Sequence, residues 1–396
     1  MLGGAFLAFT VGASLMHSYT VFLLAFVADF GWTRAESSLA YSVGQLVGGA
    51  SSPLVGGLVD RIGARRCVLL GGCLLTIGLL GSAYADALWQ VVFLYGVVMT
   101  VGANCLGLLV FVPLISQLFV HRRGMAISVL QSANGFGRAV SAPLSQMLIT
   151  GVGWRGAYLA EAAIMAVLVL PLTALFRTGG AARGAPAPTA AVAAVRHWTL
   201  AEAIRTRHFW LLFVVYMFTS IGSFLVSLHQ IAFAVDVGFD PLYAAGVLGM
   251  GSFLAMPGVI VTGTMSDYIG REASALLAYG ISIVGVACAL LIDSPGDHLL
   301  LWLHACFFGL TWGARGPAIT AKTADLFPGP RLGTILGVIT IGSGLGAAIG
   351  SWAAGFIFDV FASYRTAFVL SIAAYAAGSA AFWALRKPPP ERRAPA

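Results

Sequence analysis

Two arginines stand inside runs of the chain that otherwise read as hydrocarbon. Arg315 sits in LLLWLHACFFGLTWGARGPAITAKTADLF, and Arg138 in VLQSANGFGRAVSAPLSQMLIT. A guanidinium keeps its proton at any physiological pH, so an arginine at membrane depth needs a wet cavity, a carboxylate or an anionic ligand beside it. The chemistry it suits is bidentate recognition of a carboxylate. Polar residues at helical spacing accompany both. Ser128, Gln131, Asn134, Arg138, Ser141 and Ser145 share one face, and Tyr216, Ser220, Ser223, Ser227 and Gln230 share another. Thr311, Arg315 and Lys322 form a third, Thr10, Ser14 and His17 a fourth, and Asn104 lies mid-run on its own. These readings make Arg315, Arg138, Asn104, Gln131, Asn134, Tyr216 and Gln230 the candidate ligand-binding residues. His17, His229 and Glu161 are the candidate proton carriers, the histidines because imidazole titrates near neutral pH. Glu161 is also expected to pair locally with Arg155. Each residue has a structural alternative: carbonyl-bonded arginines, packing histidines and interhelical polar contacts.

The elements that must position these residues are helices in lipid. The chain has 396 residues, 59% hydrophobic and 9% charged, with mean hydropathy +0.91. Soluble domains carry about 25% charged residues. Apolar runs of about 20 residues fall at 3–28, 37–59, 67–85, 88–118, 124–150, 154–176, 208–235, 241–265, 273–292, 298–326, 331–358 and 364–385. The first run lacks a basic leader and is expected to be a retained helix. The fold class is therefore all-α integral membrane, with twelve transmembrane helices.

Of the 22 basic residues, seventeen flank one set of alternating loops, three flank the other, and Arg138 and Arg315 lie within the membrane. The positive-inside rule then places both termini in the cytoplasm, with the chain multi-pass in the cell (inner) membrane. The placement of the cations in short loops, on no single face, excludes nucleic acid as the partner of the net +7 charge. Cys67, Cys73, Cys105, Cys288 and Cys306 form no CxxC motif and read as small packing residues. Neither a nucleotide-binding GxxxxGK[ST] motif nor a metal-ligand spacing occurs. No metal, cofactor or catalytic residue is expected, and the chain does not read as an enzyme.

One connection is long and polar. Its Ala/Pro/Gly-rich part reads as a linker, and WTLAEAIR starts a short helix with Thr199 as N-cap and Glu202 three residues on. The domains are then 1–176, a six-helix bundle; 177–207, a cytoplasmic linker; 208–385, a second six-helix bundle; and 386–396, a cytoplasmic tail. The halves repeat. GGLVDRIGARR (56–66) matches GTMSDYIGR (263–271) at an offset of 207, and WRGAY (154–158) matches YRTAF (364–368) at 210. Parallel repeats of six helices with a midplane site between them are a transporter architecture.

GGLVDRIGARR and its second copy resemble the loop motif of the major facilitator superfamily, and the resemblance covers nearly the whole chain. It implies two pseudo-symmetric six-helix bundles whose helices 1, 4, 7 and 10 line a central path. It further implies a conformational latch formed by Asp60, Arg61, Arg65, Asp267 and Arg271. FGWTRAESSLAYS (30–42), FVHRRGMAISVLQSANGFG (119–137) and HQIAFAVDVGFDP (229–241) are similar to monocarboxylate-porter and oxalate/formate-antiporter sequences. The expected function is secondary transport of a small organic anion, a mono- or dicarboxylate, by alternating access, with protons as the candidate coupling ion, lipid as the surroundings and a monomer as the unit. Two alternatives stay open: a proton-driven exporter of amphiphilic compounds, and a membrane sensor that transports nothing.

Overall fold

The computed structural model describes residues 2–108, 110–112, 123–173, 198–328 and 331–386. The described residues form helices and turns, with no strand among them. Eight helical stretches are long and apolar enough to cross a membrane on length and composition. One of them, Ser132–Val169, is two passes joined at Gly153, whose φ of +74° turns the chain between the fifth and sixth spans. Three further positions of the twelve-pass reading fall short for identifiable reasons. Arg34–Ile62 is long but carries Ser, Gly and charged ends, Leu88–Asn104 is short, and His298–Leu310 is separated from Arg315–Leu326 by a turn.

The interruptions follow the repeat. The first span stops at His17 and resumes at Tyr19, and the seventh stops at Ser227 and resumes at Gln230. The fourth runs through a π-helix, Leu94–Met99, to a turn after Asn104. The tenth breaks at 311–314, where Gly313 has φ +75°. Broken helices free backbone groups at membrane depth, which is tolerated only where they are buried in protein or line a cavity.

Gly63 and Gly270, paired by the sequence repeat, explain why that repeat contains glycine. Both have positive φ, +81° and +91°, between consecutive spans, where a side chain would be strained. Helix starts are fixed by side chains. Thr33 and Glu36 form a capping box before the second span, and Thr199 and Glu202 form the expected one before Leu200–Ile204.

Buried apolar side chains form two large clusters, one from residues 5–169 with Leu228, the other from 203–385 with Val21 and Ala142. Each group of residues also carries its own ion pair at equivalent positions. Arg155 binds Asp86, and Arg365 binds Asp293. Asp86 and Asp293 stand 207 residues apart, so the fold repeats in its charges as well as its backbone.

Candidate functional site

The fifth span delivers Arg138 into a narrow cleft between the two groups of helices. His17 and Thr20 reach it from the break in the first span, Tyr41 from the second, Ser227 and Gln230 from the break in the seventh, and Leu248, Gly249 and Ser252 from the eighth. A second, smaller lobe continues from Arg138 and Gln230 to Phe308 and Trp312 on the tenth. The breaks explain the convergence. Ending a helix inside the protein lets His17 and Gln230 leave their helical tracks and face the same space.

Arg138 is the one cation among the cleft's described lining residues, and no Asp or Glu lines it. Its guanidinium carbon lies over the Trp312 ring, 3.9 Å from the centroid. A cation over an indole face is attracted to it, and the contact uses none of the guanidinium's N–H donors. Nη1 is buried and makes no hydrogen bond. A buried unsatisfied donor on a permanent charge is costly, and such a group calls for a partner.

Arg315 occupies different surroundings. It is 3% exposed, and Nη1 donates to Ser282 Oγ at 2.6 Å and to the Ala278 carbonyl at 3.3 Å. Nη2 lies 3.5 Å from Ser223 Oγ. The Tyr279 and Tyr375 rings flank the guanidinium with centroids 5.0 and 4.8 Å away. Its neighbours therefore belong to the seventh, ninth and twelfth spans, and it lines neither lobe of the cleft. Thr311, expected on the same face, also turns to the ninth span, with its hydroxyl 2.6 Å from Ser282. Lys322 pairs with Glu272 at 2.6 Å. The expected grouping of Arg315 with Arg138 rested on their depth along the helices, and depth does not say which neighbour a side chain faces: Arg315 turns with Thr311 to Ser282 on the ninth span.

The other candidates divide between the cleft and its walls. Gln230 lines both lobes. Asn104 instead ties the fourth span to the second, donating to the Gly48 carbonyl at 2.9 Å and Ser51 Oγ at 2.8 Å. Tyr216 meets Thr320 at 3.1 Å. Glu161 is 3% exposed, accepts from Ser145 Oγ at 2.6 Å, and leaves Oε2 without a partner. It does not pair with Arg155, which reaches Asp29 and Asp86. The side chains of Gln131, Asp60 and Asp267 lie outside the described residues. Arg61 and Arg65 are exposed. Arg271 faces Ser266 and Asp325, both in the second half.

His229 is fully buried, away from the cleft lining, in a polar cluster that the sequence reading did not find. Its Nδ1 lies 3.0 Å from Tyr364 Oη, and Nε2 lies 3.0 Å from the Ser351 carbonyl and 3.2 Å from Ser38 Oγ. Tyr364 also accepts from Arg34, whose fork donates to both oxygens of Asp236 at 2.6 and 2.7 Å. The signal in the sequence was Arg34 itself. It is one of three basic residues on its side, and FAVDVGF repeats FVADFGW with an acid at the same step.

The family model for the Major Facilitator Superfamily matches residues 3–321. Monocarboxylate transporter 13 of Rattus norvegicus is 27% identical over 369 residues, covering 92% of this chain and 83% of that relative. The oxalate:formate antiporter of Oxalobacter formigenes is 23% identical over 372 residues, covering 89% of this chain and 85% of that relative. Among solved structures, a mutant of the nucleoside transporter NupG superposes with a TM-score of 0.77 at 13% identity, covering 97% of this chain and all of that one.

Proposed function

The chain belongs to the major facilitator superfamily, and from that premise we propose that this multi-pass membrane transporter carries a small organic anion, a mono- or dicarboxylate, gripped by Arg138. The observation that carries the proposal is the buried, unpartnered Nη1 of Arg138 in a cleft with no described acid in its lining. A carboxylate there replaces water with charge-assisted hydrogen bonds, worth about 1.5–3 kcal/mol net each. Relatives named for monocarboxylates and for oxalate and formate support the same class. In this reading Trp312 holds the guanidinium plane, and Gln230, His17 and Tyr41 bond the rest of the ligand. Arg315 is a structural anchor of the second half. Asn104 and Tyr216 brace helices.

Transport then proceeds by alternating access. The bundles 1–176 and 208–385, linked by 177–207, rock about the occupied cleft, with both termini in the cytoplasm and Asp60 and Asp267 as the latch. The working unit is a monomer.

Proton coupling is assigned to Glu161. An isolated buried carboxylate is too costly to stay ionised without a partner, and the neutral acid is the form that costs least there. Glu161 accepts from Ser145 on the fifth span, leaves Oε2 without a partner, and has no ion pair among the described residues. Ser145 lies one turn beyond Ser141, which lines the cleft, so the acid stands just behind the substrate wall. Glu161→Gln should retain substrate exchange across proteoliposomes and lose accumulation driven by a pH gradient. If the variant still accumulates substrate uphill, coupling lies elsewhere.

The anion reading is tested on purified protein by thermal shift against mono- and dicarboxylates. Wild type should be stabilised by at least one of them. Wild-type affinity in Arg138→Gln would end the proposal.

A further inference from the structure

Arg34, at the start of the second span, crosses from the first half to the second in two ways at once. Its guanidinium forks onto Asp236 and reaches Tyr364 Oη. The helix end that it opens is held as well. The backbone N–H groups of Arg34 and Ala35 donate to the two oxygens of Asp359 at 2.9 and 2.8 Å. An acid from one half thus occupies the positive end of a helix in the other. The Arg34 ring contacts agree, with its guanidinium 3.7 Å from the Phe358 centroid.

The backbones touch here too. A methyl group on Gly355 would lie 2.6 Å from the Arg34 carbonyl oxygen. Glycine is what lets the eleventh span close on the second at this point.

The repeat shows that this pairing is not a generic helix-end contact. Asp29 stands 207 residues before Asp236, in the matching sequence. Asp29 takes Arg155 of its own half at 2.8 Å. Asp236 instead takes Arg34 from the other half, with that side chain only 9% exposed. Position 241, the repeat counterpart of Arg34, is a proline, so the first half receives no return contact. His229 joins the cluster through Tyr364, and its chain neighbour Gln230 lines the cleft.

We propose that Arg34, Asp236, Asp359 and Tyr364, with Gly355 beneath them, form a one-sided lock that closes the cleft toward the membrane face carrying the Arg34 loop. Opening on that face separates the charge pair and the helix end together. The break in the seventh span sets the lock next to the site whose access it controls.

The inference deepens the transport reading but needs no knowledge of the substrate, so its test is separate. Ser227 lines the cleft. In a chain whose native cysteines are replaced, Ser227→Cys is labelled with a membrane-impermeant maleimide from each side, using right-side-out and inside-out vesicles. From the Arg34 side the parent should label slowly. Arg34→Ala should raise that rate at least about tenfold, since losing one partner of a buried charge pair shifts a two-state balance by that much or more. Gly355→Ala, which keeps every charge, should raise it as well. Arg155→Ala breaks an ion pair inside the first half and should leave the rate unchanged. Unchanged labelling in both Arg34→Ala and Gly355→Ala would overturn the lock. An equal rise in Arg155→Ala would also overturn it, by exposing a general loosening of that face.

Discussion

Arg138 and Arg315 are the same side chain at similar depth, and their neighbourhoods have little in common. Around Arg315 the protein supplies hydroxyls, a carbonyl and two tyrosine rings, so most of the guanidinium is already satisfied. Around Arg138 it supplies a tryptophan face, a histidine near one edge and open volume. Each arginine keeps one buried N–H without a partner, Nε on Arg315 and Nη1 on Arg138, and of the two only Arg138 lines the cleft. Residue type told where a cation sits in the membrane, and only its partners separate a ligand site from a strut.

That contrast is most exposed to Arg138→Gln. Losing two charge-assisted bonds of about 1.5–3 kcal/mol each should weaken carboxylate binding by roughly a hundredfold or more, read as loss of ligand-induced thermal stabilisation. The unliganded melting temperature should hold or rise, since a membrane cation costs about 2.5–3.5 kcal/mol on insertion scales. Arg315→Gln should do the converse. Its melting temperature should fall by several degrees, about the shift expected for a loss of 1–2 kcal/mol in a protein this size, while binding stays within about threefold of wild type by the additivity of separate sites. If the two variants exchange these phenotypes, the roles assigned here are reversed.

A smaller effect refines the Arg138 side. Trp312→Leu keeps bulk but removes the stacking surface. Cation–π contact is worth about 0.5–2 kcal/mol, so affinity should drop by roughly 3- to 30-fold with stability little changed, as measured by titration calorimetry. The smallest is Tyr375→Phe beside Arg315. It removes the hydroxyl that meets Ser223 at 3.0 Å and keeps the ring. The cost should be about 0.5–1.5 kcal/mol of stability, the value of one hydrogen bond, with no change in affinity.

The fold was legible because lipid imposes few rules and the chain obeys them visibly. Long apolar runs, cations on alternate loops and a repeated loop motif each left a pattern that one sequence displays. The cleft was legible in part. Arg138, Gln230 and His17 were picked out from polar stripes, and they do meet. Arg315 was misgrouped for a definite reason. Depth along a helix does not say which neighbour a side chain faces, and Arg315 turns with Thr311 to Ser282 on the ninth span. The Arg34 cluster was illegible for another reason. Its members come from positions 34, 236, 359 and 364, and nothing local links an arginine after the first span to an aspartate that ends the eleventh.

The paired clasps, Arg155 with Asp86 and Arg365 with Asp293, carry a consequence for how the molecule could be taken apart. Each half ties its own loops together, and each apolar cluster is drawn almost wholly from one half, with Leu228 crossing one way and Val21 and Ala142 the other. What passes between them is a set of surface contacts, the Arg34 lock among them. Made as two polypeptides in one cell, with the chain cut between residues 173 and 198, the halves would keep the clasps and the Arg34 contacts of the described residues. The peptide connection then governs how often the partners meet, and the contacts govern whether they stay.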